Sequence, residues 1–248
     1  QQMSLDIGLA LHRDVKRQFL TSDVFVNTAL LTLYWKCGKL NEAEEVFNNL
    51  SQRSIVSWTA MLSAFVDQYQ GEKALLLYRQ MCEEGLRPNE HTFVSLLQAC
   101  CILAEREKYC FEMQIMKEKT LCIGQSIHAD LRNNGLVLDS FLGNTLMRMY
   151  GKHGSIREAE NVLISVLRRT VVSWTLMMVS YLEQGQAKKA LLSYSQMHEE
   201  GIEPNQQTFV TALQACGVLA DLSFYQQKHM RGVSLSICQS LHNDVQKM

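Results

Sequence analysis

"IVSWTAML" at residues 55–62 returns as "VVSWTLMM" at 171–178, with Trp58 and Trp174 standing 116 residues apart. A phrase repeated so closely in a chain of 248 residues marks an internal repeat, and that decides the architecture before any site is sought. The match runs well beyond the tryptophans. "YWKCGKLNEAEEVF" at 34–47 recurs as "YGKHGSIREAENVL" at 150–163, "EEGLRPN" at 83–89 as "EEGIEPN" at 199–205, and "TFVSLLQAC" at 92–100 as "TFVTALQAC" at 208–216, all at the same offset. A further trace, "IGLALHRDV" at 7–15, parallels "IGQSIHADL" at 123–131 and "ICQSLHNDV" at 237–245. The chain therefore holds about two full periods and part of another.

Each period divides into helical hairpins. Trp58, Met61, Leu62 and Phe65 fall at i, i+3, i+4 and i+7, the apolar face of one helix, and Ala74, Leu75, Tyr78 and Met81 make the face of a second. Gly85 ends that helix, with Pro88 close behind. The next copy supplies Trp174, Met177, Met178 and Tyr181, then Ala190, Leu191, Tyr194 and Met197, then Gly201 and Pro204. Ser155 and Glu158 in "SIRE" have the spacing of a capping box. Helix pairs that each leave one apolar face uncovered must stack on their neighbours, so the expected fold is all-α, a right-handed α-solenoid.

Composition agrees and sets limits. The hydrophobic fraction of 47% suits a globular chain with a sizeable core, and two prolines leave helices few enforced breaks. A formal charge of −1 and a pI near 6.7 argue against a purely electrostatic nucleic-acid binder. The eight cysteines include no C-x-x-C, which fits free thiols in a reducing compartment better than a disulfide framework. No apolar run has the length of a membrane span, and "QQMSLDIGLALHRDV" lacks the character of a leader. The first residue is Gln1, as expected of a trimmed or mid-protein fragment.

Units of 31 residues (24–54, 140–170) alternate with units of 35 (55–89, 171–205). With "VFVNTALLTLYWKCGKLNEAEEVFNNLSQRS" at 24–54, "VSWTAML" at 56–62 and "GLRPNEHTFVSLLQAC" at 85–100, the chain resembles pentatricopeptide repeat proteins of the plant-organelle type, which mix short, standard and long repeats. The resemblance divides the chain into a partial long repeat at 1–23, a short repeat at 24–54, a standard repeat at 55–89 and a long repeat with an insertion at 90–139. A short repeat at 140–170, a standard repeat at 171–205 and a partial long repeat with an insertion at 206–248 complete it. The surplus residues lie around 105–119 and 221–232, where they are expected to lengthen a turn or extend a helix. They are solvated helical extensions or docking elements for editing or processing proteins.

The resemblance implies binding of single-stranded RNA, about one base per repeat, read by the fifth and the last residue of each unit. In the standard repeats these are Thr59 with Asn89 and Thr175 with Asn205, both implying adenine. Thr59 follows Trp58 by about 100° around the helix, at the edge of the apolar stripe. The short repeats offer Thr28 with Ser54, without a clear reading, and Asn144 with Thr170, where Asn implies a pyrimidine. The long repeat offers Val94 with Asp139, which reads poorly. The implied register is A, any base, pyrimidine, A. Stacking on the bases falls to the second positions, Val56, Val172, Phe25 and Phe141, whose alternative is ordinary packing between helices.

Other motifs have plainer readings. Trp58 and Trp174 belong to the core stripe, and Met-rich "LMRMY" and "LMMVSY" to adaptable core. His12, His128 and His242 are helix-interface histidines rather than metal ligands. His198 and Glu200 make only the H-x-E half of a zinc deaminase signature, without P-C-x-x-C. Without a phosphate loop or a nucleophile beside a base, the expectation is no enzyme, no cofactor or metal, no membrane and no small-molecule substrate. The function implied is organellar RNA editing, processing, stability or translation, in mitochondrion or chloroplast. The alternative is a protein-interaction scaffold or structural subunit of an organellar ribonucleoprotein.

Overall fold

The computed structural model describes residues 2–18, 23–106 and 112–225. Among them are twelve helices and no strand: α1 (Gln2–Arg17), α2 (Val24–Lys36), α3 (Leu40–Asn48), α4 (Ile55–Asp67), α5 (Gly71–Glu83), α6 (Glu90–Arg106), α7 (Glu112–Asn133), α8 (Ser140–Lys152), α9 (Ile156–Ser165), α10 (Val171–Glu183), α11 (Ala187–Glu199) and α12 (Gln206–Tyr225). The expected all-α solenoid of stacked helix pairs is the fold. His242, the stretch 237–245, residues 107–111 of the first insertion and everything from 226 on in the second lie outside the described residues.

Contacts gather in two halves, Gln1–Leu131 and Arg132–Met248. In the first, α2 pairs with α3, and α4 lies against both as well as against α5 and α6. In the second, α10 occupies the corresponding place among α8, α9, α11 and α12. The core follows the apolar stripes: Trp58, Met61, Leu62, Phe65 and Met81 are buried in the first half, and Trp174, Met177, Met178, Leu191 and Met197 in the second. Phe47 meets Trp58 edge to face at 4.9 Å between centroids, with the Arg53 guanidinium over both rings. Met147 and Met149 of "LMRMY" are also buried, so the methionines fill core space as expected.

The two helices of a pair begin in different ways. The first helices start from an extended residue whose side chain takes a backbone N–H: Asp23 from Val26, Ser54 from Ser57, Asp139 from Leu142, Thr170 from Ser173. The second helices α3, α5, α9 and α11 follow a tight turn, and Lys39, Gln70, Ser155 and Gln186 before them have ψ of 68°, 59°, 67° and 49° with no side-chain cap bond. The capping box expected at Ser155 and Glu158 is therefore not formed, because that ψ turns the Ser155 hydroxyl away from the N–H groups it would accept. Thr170 and Ser173 form one instead, at the start of α10.

The first insertion extends helices: α6 continues to Arg106 and α7 begins at Glu112, giving 17 and 22 residues against 13 in α4. In the second copy α12 runs to Tyr225. Ion pairs recur at the 116-residue offset. Arg53–Glu84 at 2.8 Å answers Arg169–Glu200 at 2.8 Å, and Lys73–Glu44 at 2.9 Å answers Lys189–Glu160 at 3.2 Å. Each joins one helix pair to the next.

Candidate nucleic-acid interface

Among the described residues, the last residue of each repeat serves the helix that follows it. Asn89 accepts the Thr92 N–H on Oδ1 at 2.9 Å, and Asn205 accepts the Thr208 N–H at 2.9 Å, so each caps the next first helix. The same Oδ1 atoms accept the Thr92 and Thr208 hydroxyls, both at 2.9 Å. The Asn89 and Asn205 N–H groups donate back to those hydroxyl oxygens at 3.3 Å. A capping box of the form N-x-x-T thus stands at the start of α6 and of α12.

These boxes reach back to the fifth residue of the preceding first helix. The Thr59 hydroxyl meets that of Thr92 at 3.3 Å, and the Thr175 hydroxyl meets that of Thr208 at 2.8 Å. In the short repeat 140–170 the Ser173 hydroxyl donates to Asn144 Oδ1 at 2.7 Å while it pairs with Thr170 in its capping box. Each of these three repeats therefore brings its fifth and last residues together through one small hydroxyl of the next helix. Thr92, Thr208 and Ser173 have no exposed surface. Thr59, Asn89, Asn144 and Thr170 are half-buried, Asn205 is exposed, and Thr175 keeps only 7% of its surface.

The other two repeats differ. The Thr28 hydroxyl donates to the Val24 carbonyl at 2.7 Å, and Ser57 turns back to the Ser54 carbonyl at 2.8 Å, so Thr28 and Ser54 are not bridged. In the long repeat the fifth residue, Val94, is buried, and Asp139 caps α8 at 2.8 Å. The residue of α8 that stands where Thr92 stands in α6 is Leu142.

The second positions are open. Phe25 is 87% exposed, Val56 58%, Phe141 56% and Val172 48%. Each lies three residues before a fifth position, on the same face of its helix. Apolar side chains beside hydrogen-bonding groups make a surface suited to a flat, polar-edged ligand such as a nucleobase. Arg148, exposed one turn on from Asn144, adds a positive charge.

The remaining motifs are accounted for by packing. Trp58 is fully buried and Trp174 nearly so. His12 Nδ1 meets the Tyr34 hydroxyl at 2.6 Å between α1 and α2. His198 meets the Tyr194 hydroxyl at 3.0 Å, and Glu200 accepts from Trp174 Nε1 and pairs with Arg169, so the H-x-E residues serve the fold. Among the described residues no group of three or more His, Cys, Asp or Glu side chains is placed to hold a metal ion, and no helix is long and apolar enough to cross a membrane. The sequence reading missed Thr92, Thr208 and Ser173; their signal was the N-x-x-T and T-x-x-S spacing at each repeat junction.

A fold of stacked helix pairs with a polar bridge recurring at three of its junctions defines a modular helical-repeat protein. The PPR repeat family model matches residues 53–102 and 169–217, the pentatricopeptide repeat domain matches 10–56, and a single PPR repeat matches 144–171. The chain belongs to the pentatricopeptide repeat family. It is 34% identical over 216 residues to a chloroplastic pentatricopeptide repeat-containing protein of Arabidopsis thaliana, covering 87% of this chain and 33% of that one. It is also 34% identical over 203 residues to a mitochondrial one from the same plant, covering 82% and 30%. The chain thus spans about a third of the length of these curated relatives. Among solved structures it is similar to the pentatricopeptide repeat protein PPR10 from maize at 17% identity and a TM-score of 0.44, over 96% of this chain and 41% of that one.

Proposed function

We propose that this chain binds single-stranded RNA with base selectivity, reading adenine with Thr59 and Asn89 and again with Thr175 and Asn205. The observation that carries the reading is the recurring bridge. In both standard repeats Asn Oδ1 is occupied by two bonds from the next helix, so the amide offers only its Nδ2 donors outward, beside a threonine oxygen able to accept. Adenine presents the complement, an amino donor next to a ring-nitrogen acceptor. Guanine and uracil present the reverse order.

Cytosine shares adenine's order but is smaller, and the short threonine side chain favours the larger base. Asn144 reaches further, which favours a pyrimidine in repeat 140–170. Thr28 with Ser54, unbridged, and Val94 with Asp139 select no base, so the register is A, any base, pyrimidine, A, 5′ to 3′ from repeat 55–89 to repeat 171–205. Val56, Val172, Phe25 and Phe141 flank the bases. Relatives named chloroplastic and mitochondrial support action in an organelle. There the whole protein would serve RNA editing, processing, stability or translation, with any catalysis supplied elsewhere.

Binding-site selection from a random single-stranded RNA pool tests this, run beside the Thr59→Ala/Thr175→Ala double variant. Adenines three nucleotides apart are expected from the wild type, and their enrichment is expected to vanish in the variant. A pool without that spacing defeats the register, and absence of binding at low salt defeats RNA recognition and leaves the protein-scaffold alternative.

A further inference from the structure

The geometry points to Thr92 and Thr208 as positioning residues that set base specificity from the repeat next door; this rests on the RNA-binding reading above. Neither touches solvent, so neither meets a base. Each nevertheless contacts both reading residues of the preceding repeat: Thr92 holds Asn89 Oδ1 and meets the Thr59 hydroxyl, and Thr208 does the same for Asn205 and Thr175.

The proton count shows what the contact does. A threonine hydroxyl has one proton. Thr92 gives its proton to Asn89 Oδ1, so at the 3.3 Å contact with Thr59 it can only accept. Thr59 then donates either to Thr92 or to the Ile55 carbonyl at 2.7 Å, and in both cases its oxygen keeps a lone pair for a ligand. Thr175 stands likewise between Thr208 at 2.8 Å and the Val171 carbonyl at 2.7 Å. The buried hydroxyl therefore fixes which way the asparagine amide faces and leaves the threonine as acceptor. Without it the amide loses one of its two restraints and is free to turn its oxygen outward, where it would accept from the ring N–H of guanine or uracil.

Two further repeats agree. Where the fifth residue is the buried, apolar Val94, Leu142 occupies the place of Thr92 and no hydroxyl is supplied. Where it is Asn144, Ser173 holds the amide oxygen directly at 2.7 Å. The device accompanies three of the four polar fifth residues; at the fourth, Thr28, the corresponding hydroxyl of Ser57 turns back to the Ser54 carbonyl at 2.8 Å, and this repeat is assigned no base.

The test uses T92V, T208V and T92S in this chain, with short RNAs carrying A, C, G or U at each of the two nucleotides assigned to adenine. Valine keeps the shape and removes the hydroxyl; serine keeps the hydroxyl. T92V is expected to lose on the order of tenfold of the preference for A over G and U at the first nucleotide only. T208V should do the same at the second only, and T92S should restore the wild-type preference. Discrimination kept at the untouched nucleotide shows that each variant is folded. A folded T92V that still discriminates fully at the first nucleotide overturns the inference and leaves the RNA reading standing. Loss at both nucleotides from either single variant also overturns it, as a general structural effect. A wild-type chain without base preference at either nucleotide overturns both.

Discussion

A side chain that cannot reach the ligand can still decide what the ligand meets, and burial is what gives it that authority. The same principle separates the thiols. Burial, with the neighbouring Cys101 adding to it, pushes the Cys100 thiol up to about 12, while Cys82 and Cys122 are exposed. At pH 8 a thiol reagent should modify Cys82 and Cys122 promptly and reach Cys100 only after denaturation, as peptide mapping would show. Prompt modification of Cys100 in the folded chain would contradict its burial. The sign for stability follows: the folded thiol holds its proton where the unfolded one releases it, so the contribution is full below the ordinary thiol range and is lost as pH rises from there to about 12. At this scale the sequence was only half legible. That Thr59 and Asn89, or Thr175 and Asn205, belong together was legible by resemblance, but the hydroxyls that join them were not, because a threonine at the third place of a helix reads as an ordinary core-edge residue until its partners are seen.

Turns distinguish the elements. Gly185, between α10 and α11, has φ of 70°, and Tyr69, at the same place 116 residues earlier, has φ of 56°. A residue with a Cβ is strained there, and the Tyr69 ring is two-thirds exposed, so little burial offsets it. Tyr69→Gly should stabilise the chain by up to about 1 kcal/mol, the gain trimmed by glycine's greater unfolded freedom. A urea melt with an unchanged or lower midpoint would show the turn to be unstrained. Helix positions were well legible, since the i, i+3, i+4 stripes of Trp58 and Trp174 are the buried faces. Helix starts were less so. Ser155 and Glu158 have the right letters for a capping box, but the tight turn before α9 sets a ψ that letters alone do not reveal.

For the whole molecule, the charge is nearly balanced, and five of the 24 basic side chains, Arg53, Lys73, Lys152, Arg169 and Lys189, already face carboxylates at 3.2 Å or less. RNA affinity should therefore depend weakly on salt. Each phosphate neutralised on a single strand contributes about −0.7 to the slope of log K against log salt, and a slope shallower than about −2 is expected here. A steeper slope would mean that the backbone, not the bases, is being held. The near-neutral composition was legible from the start, and it favoured contact over field. The duplication at 116 residues was legible too, and the ion pairs repeated at that offset are its structural residue.

The last residue of each described repeat starts the next helix, and the six residues in that role are Asp23, Ser54, Asn89, Asp139, Thr170 and Asn205. All come from the four side chains that begin helices best. The alphabet in which this protein could ever be rewritten is therefore short. Glycine aside, a letter outside it would loosen the neighbouring repeat by about 1 kcal/mol, whatever it did to the proposed base contact. Evolution of a new target is confined to spellings that also hold the spine together.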